Sequence, residues 1–107
     1  MMDADKIAHE LSKRGLAWAD ADAAFRALDD VTKTVLSEAI ADLNSDESMA
    51  AKETAARRSQ VYKDHLITLG QARRDSNRAK VNYDTYKAWM EMNRTNAATE
   101  RAQMALT

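Results

Sequence analysis

Residues 59–106, SQVYKDHLITLGQARRDSNRAKVNYDTYKAWMEMNRTNAATERAQMAL, hold no proline and a single glycine. Tyr62, Leu69, Ser76, Tyr83, Met90, Ala97 and Met104 recur every seven residues. His65, Ala72, Ala79, Tyr86 and Asn93 form a second row beside them. Seven residues make two helical turns, so each row keeps to one face of a helix. A third row, Arg73, Lys80, Lys87, Arg94 and Arg101, is wholly basic. The stretch therefore reads as one long helix, residues 60–105, about 70 Å long at about 1.5 Å per residue. Gly70 lies inside it at a cost of about 1 kcal/mol against alanine, and predicts a kink or a close helix approach.

Upstream, residues 46–57 read as a short helix. Asn44 or Ser45 is its expected N-cap, and Asp46 and Glu47 supply negative charge to its first turn. Ser59 can cap again, which favours a bend between this helix and the long one; the alternative is a helix that runs through. Residues 16–43 carry a broad apolar stripe, with Trp18, Ala21, Phe25, Leu28, Thr32, Val35 and Ala39 alternating by three and four. That is the pattern of a helix packed in a bundle. Residues 3–14 form a short amphipathic helix around Ile7 and Leu11. Gly15, following Lys13 and Arg14, suits its C-terminal end. The whole reads as one all-α domain, a long antiparallel helical hairpin or coiled-coil-like bundle with short extra helices.

Composition supports this class. Hydrophobic residues make up 45% of the 107 residues, charged residues 31%, and there are two glycines and no proline. Strand-type alternation is absent over any useful length. Much of the apolar content is alanine, which buries little area, so a lone protomer has a thin core and self-association through the long helix is expected. The expected buried side chains are Trp18, Phe25, Leu28, Val35, Leu69, Tyr83 and Met90. There is no cysteine, so disulfide and thiolate chemistry are excluded. Met1-Met2-Asp3-Ala4-Asp5 is acidic and has no apolar stretch, so no secretory signal is expected. No apolar run approaches the ~18 residues of a membrane span.

Charge is uneven. Residues 1–51 carry five basic and eleven acidic side chains, and residues 52–94 ten basic and five acidic. With Trp18, Phe25, Thr32 and Ala39 at heptad position a, Asp22 and Asp29 fall at e, as does the basic row of the long helix. In an antiparallel pair e faces e, so acid is expected to meet base across the seam. A second helix starting at residue 16 is too short to cover all of the long helix. Some of Lys87, Arg94 and Arg101 then face solvent, another protomer or a polyanion.

Catalytic patterns are sparse, and no catalytic residue, metal site or cofactor is expected. His9, beside Glu10, reads as a solvated histidine. Asp29-Asp30 and Asp20 with Asp22 are paired acids lacking a histidine one turn away, so they read as solvated surface. Arg58 and His65 match the loose Arg-x(4–6)-His pattern of HEPN-type helical ribonucleases, in which histidine serves as acid or base and arginine stabilises phosphorane charge. Nine arginines make a chance match easy, and His65 lies on the inward row, so this is a remote alternative. A second reading is nucleic-acid binding through Arg73, Arg74, Lys80, Lys87, Arg94 and Arg101, with Tyr83, Tyr86 and Trp89 interleaved. Core packing is the simpler account of both tyrosines. The leading reading is a protein-binding surface formed by Lys87, Trp89, Met92 and Arg94, because Trp89 and Met92 make an apolar patch off the seam.

The segments Ser59-Gln-Val-Tyr-Lys-Asp-His-Leu, Arg78-Ala-Lys-Val-Asn-Tyr-Asp-Thr-Tyr-Lys-Ala-Trp-Met-Glu-Met-Asn-Arg-Thr and Asp29-Asp30-Val-Thr-Lys-Thr-Val-Leu resemble small helical accessory proteins of tailed phages and prophages of proteobacteria. The resemblance covers most of the chain by general pattern and carries over no site residue. It implies a phage origin and a non-enzymatic role in the cytoplasm of the infected host. The implied partner is a protein: a phage recombination or replication factor, or a host defence component.

Overall fold

The structure, a computed structural model, describes residues 3–106. It is all-α, with the helices α1 (Ala4–Asp30), α2 (Thr32–Ala41), α3 (Met49–Arg57) and α4 (Gln60–Leu106). The chain divides into two compact units. One comprises the described residues up to Ala19 and those from Asn77 onward. The other is Asp20–Ser76. α1 and α4 each contribute a segment to both.

The first departure from the expected layout is at Gly15. α1 runs through it without a break. A glycine ends a helix when it adopts the left-handed conformation, and neither glycine here has positive φ. A right-handed helical glycine costs only about 1 kcal/mol. The spacing Ile7, Leu11, Arg14, Trp18, Ala21, Phe25 already continues through this point and outweighs that cost. The break falls instead at Val31, with φ −92° and ψ 2°. Two causes are local. Asp29 and Asp30 place negative charge at a helix C-terminus that has no basic residue in its last turn, against the helix dipole. Val31 and Thr32 are β-branched, and the Thr32 hydroxyl donates to the Leu28 carbonyl at 3.2 Å.

The loop before α3 also differs from expectation. The Ser45 hydroxyl accepts from Glu47 N at 3.1 Å, which closes a turn rather than opening a helix. Ser48 is the N-cap, extended at φ −62°, ψ 157° and accepting from Ala51 N at 3.2 Å. α3 thus begins at Met49, not residue 46. Between α3 and α4 the chain is interrupted at Arg58 and Ser59. There the Ser59 hydroxyl donates to the Ala56 carbonyl at 2.6 Å and accepts from Tyr62 N at 3.3 Å. This is the interruption that Ser59 predicts.

Within the unit Asp20–Ser76, the end of α1 and the start of α2 lie antiparallel to the start of α4. Asp22 meets Ser76, Phe25 meets Arg73 and Thr32 meets His65. α2 also packs on α3, where Ala39 is 6% exposed and Ala56 fully buried. Within the other unit, Arg14 and Trp18 of α1 meet Tyr86 and Tyr83 of α4. Ile7 and Leu11 flank a groove with Met90 and Ala97. Both heptad rows of α4 therefore face α1, as the spacing predicts.

The core is thin. Among the described residues, Ala39, Ala56, Tyr62, Leu69, Ser76 and Tyr86 are buried. Of the seven side chains expected inside, only Leu69 is among them. Trp18, Phe25, Leu28, Val35, Tyr83 and Met90 are half-buried, because one facing helix covers only the inner side of a large side chain. Gly70 does not break α4, and a Cβ added there would meet nothing within 4 Å. Gly15 is the glycine of close approach, since a Cβ there would lie 3.3 Å from Tyr83 Cε2.

Candidate functional site

The basic row of α4 does not meet acids across the seam. The three ion pairs found among the described residues, Glu10–Arg14, Asp22–Arg26 and Glu53–Arg57, each lie within one helix at i,i+4 spacing. Asp22 meets a hydroxyl across the seam, not a base. It accepts from Arg26 Nε at 2.8 Å and from the Ser76 hydroxyl at 3.3 Å. The cations lie over aromatic rings instead. The Arg73 guanidinium is 5.3 Å from the Phe25 ring centroid, and Lys80 Nζ is 5.8 Å from that of Trp18. Such contacts are worth about 0.5–1 kcal/mol at exposed sites. Arg74 donates to Gln71 Oε1 at 2.8 Å. Of the six residues expected to face nucleic acid, three are thus engaged within the fold. Lys87, Arg94 and Arg101 are exposed.

Arg14, which the sequence reading passes over, anchors the unit that contains Trp18 and Tyr83. Its guanidinium lies 4.6 Å from the Tyr86 ring centroid, and its Nε donates to Glu10 Oε1 at 2.8 Å. That hydrogen bond holds the Glu10 carboxyl below the ordinary glutamate value. The heptad register of α1, continued through Gly15, is the signal that places Arg14 on the seam. The Tyr86 hydroxyl is buried without a hydrogen-bond partner, alone in this among the described residues. The ring is held by Arg14 above it and by Trp89, whose centroid is 5.5 Å away at 35°.

The four residues expected to form one partner surface divide into two pairs. Residues two apart on a helix lie roughly 200° apart. Lys87 and Arg94 therefore flank one side of the seam, and Trp89 and Met92 belong to the other side and the back of α4. The premise that α1 is too short also fails. Because α1 begins at Ala4, the groove of about 430 Å³ lined by Ile7, Leu11, Met90 and Ala97 brings the seam as far as Ala97, with Arg94 on its wall. Trp89 and Met92 are exposed because they face away from α1. They are 41% and 62% exposed.

Trp89 and Met92 belong to a wider feature. From Val81 to Leu106 three adjacent heptad rows, running from the back of α4 round the flank away from Lys87 and Arg94, carry no charge. One row is Val81, Ala88, Thr95 and Ala102, and the next is Thr85, Met92, Thr99 and Leu106. The third, Asn82, Trp89, Asn96 and Gln103, leads back toward the seam. All twelve are exposed. Two of the threonines have satisfied hydroxyls: Thr95 donates to the Glu91 carbonyl and Thr99 to the Thr95 carbonyl, each at 3.0 Å. With the hydroxyl turned onto its own helix, a threonine presents its methyl outward, and burying it leaves no polar atom unpaired. The sequence pattern alone shows this face, once the rows beyond the inward ones are counted.

His65 sits on the seam, its Nε2 2.8 Å from Thr32 Oγ1. Arg58 lies between α3 and α4, so it does not share a helix face with His65. No observation favours the ribonuclease alternative. Among the described residues no group of three or more His, Cys, Asp or Glu could hold a metal ion. No helix among them is long and apolar enough to cross a membrane. No family model, curated protein or solved structure matches the chain.

Proposed function

We propose that this chain is a non-enzymatic interaction protein of phage type. It binds a protein through the outward face of α4, with Trp89 and Met92 at the centre of contact. One observation carries the reading. Trp89 and Met92 stand exposed on a face without charge from Val81 to Leu106, in a chain whose composition is 31% charged. Protein interfaces are depleted of charge at their cores and enriched in tryptophan and methionine. The resemblance to phage accessory proteins supports partners in the cytoplasm of an infected host, either a phage recombination or replication factor or a defence component. The expected tendency to self-associate adds a second copy of the chain to the candidates.

The test compares the wild-type chain with Trp89→Ala as bait in lysates of phage-infected cells, with and without nuclease. Truncating an aromatic anchor typically costs about 2–4 kcal/mol of binding, so capture should fall at least tenfold. Capture that persists in Trp89→Ala sinks the reading. Capture that disappears on nuclease treatment and falls steeply with salt supports instead the nucleic-acid alternative through Lys87, Arg94 and Arg101.

A further inference from the structure

The uncharged face of α4 has an internal symmetry that points to one occupant. We propose that a second copy of this chain docks on it, with the two α4 helices antiparallel about a two-fold axis near Asn93 and Arg94. This rests on the reading of the face as a protein-docking surface and names its partner.

The two central rows have the three-and-four alternation of a coiled-coil seam. It is distinct from the inward seam, which α1 already occupies. Turned end for end, the rows interlock with themselves. Val81 faces Leu106 of the partner copy, Thr85 faces Ala102, Ala88 faces Thr99 and Met92 faces Thr95. In every layer the two side chains differ in size, or pair aliphatic residues at the two ends. No layer places two large residues together near the axis, so the helices can approach closely. The hydroxyls of Thr95 and Thr99 are already bonded to their own helix, which lowers the desolvation cost of the central layers.

Charge complementarity selects the antiparallel sense. The row bordering this face carries Asp84 and Glu91 in its first half and Ala98 and Ala105 in its second. Antiparallel docking puts each acid opposite an alanine, and parallel docking would put it opposite the uncharged row of Asn82 and Trp89, so like charges are avoided in either sense. Only the antiparallel sense brings Arg101 of the second copy level with the turn between Asp84 and Glu91, base beside acid. A closed two-fold contact of this kind is the commonest form of self-assembly.

Sedimentation equilibrium and cysteine cross-linking test the proposal, in a chain with no cysteine of its own. The wild type should be dimeric at tens of micromolar. Thr95→Lys places two like charges at the middle of the contact and should weaken dimerisation about tenfold or more, while far-ultraviolet circular dichroism stays unchanged. Oxidising a mixture of Thr85→Cys and Ala102→Cys chains should yield the mixed disulfide in excess over either self-disulfide. A wild-type monomer at these concentrations, or a dimer indifferent to Thr95→Lys, overturns the second copy as occupant. Self-disulfides of Thr85→Cys in excess overturn the antiparallel arrangement. If the copy fails while Trp89→Ala still abolishes capture of another protein, the docking reading stands. If both fail, both fall.

Discussion

α4 carries one heptad pattern along its whole length, yet its two stretches use it differently. Between Gln60 and Lys80 the inward rows set two buried apolar residues, Tyr62 and Leu69, among polar and small ones: His65 bonded to Thr32, Ser76 bonded to Asp22, and Ala72. The outward face there is charged and laced with local pairs, Gln60 to Asp64 and Gln71 to Asp75. Between Val81 and Leu106 the inward rows bring Tyr83, Tyr86 and Met90 against Trp18, Arg14 and Leu11. Three adjacent exposed rows there, those of Val81, Thr85 and Asn82, have no charge. A face laced with solvated pairs is complete as it stands, whereas a charge-free exposed face is not. The comparison teaches that inward periodicity reports the fold, while the residues left off the seam report what the fold is for.

The largest expected effect tests the aromatic seam against the polar one. Trp18 and Tyr83 stack at 5.7 Å between centroids. Tyr83→Ala should lower stability by about 2–3 kcal/mol, toward the low end for aromatic truncations because the ring is half-buried. Ser76→Ala, at the equivalent heptad position, should cost less than about 1 kcal/mol, since Asp22 keeps its pairing with Arg26. Urea denaturation measures both. Equal losses would mean that the two seams contribute alike.

Much of this architecture is legible in the sequence, and the misses have physical causes. The two inward rows of α4 follow from spacing alone, and capping by Ser59 favours the interruption found there over a continuous helix. The continuity of α1 through Gly15 does not, because a glycine after two basic residues looks like a helix end. Only the register on either side of it shows that packing outweighs a penalty of about 1 kcal/mol. The charge asymmetry between the halves suggests acid meeting base. That expectation overlooks the partners at hand, because Asp22 is paired at i+4 with Arg26 and meets only the Ser76 hydroxyl across the seam, and the long basic side chains find rings instead. The proposed surface fares in the same way. Trp89 and Met92 are correctly singled out as off the seam, but Lys87 and Arg94 belong to the opposite flank, as the angle per residue requires.

A second prediction has the opposite sign. The Tyr86 hydroxyl is buried without a partner, and an unsatisfied buried group costs about 1–3 kcal/mol. Tyr86→Phe keeps the ring under Arg14 and against Trp89 and removes that cost, so it should stabilise the chain by about 1 kcal/mol. A loss of stability would show that the hydroxyl has a partner in solution. In the polar seam, Thr32→Val keeps the shape and removes the group that His65 bonds. It should destabilise by about 1 kcal/mol. If Thr32→Val instead leaves the midpoint unchanged, the Thr32–His65 contact does not hold that seam.

The smallest effect separates the two glycines. Each is helical without positive φ, so each forgoes the helical preference of alanine, worth about 1 kcal/mol, and leaves the unfolded chain more freedom to lose. At Gly70 the space is open, and Gly70→Ala should gain most of that amount. At Gly15 the new methyl would stand 3.3 Å from Tyr83 Cε2 and 3.6 Å from Cδ2. The ring must give by a few tenths of an ångström, and the Trp18 stack resists that shift. Gly15→Ala should therefore gain clearly less than Gly70→Ala, with a net change near zero. Midpoints of thermal unfolding for the two variants, measured side by side, decide the matter. If Gly15→Ala stabilises as much as Gly70→Ala, Tyr83 does not press on α1, and the aromatic seam is looser than its geometry implies. If it destabilises strongly, the seam tolerates no added volume, and Gly15 is there for contact rather than for any turn.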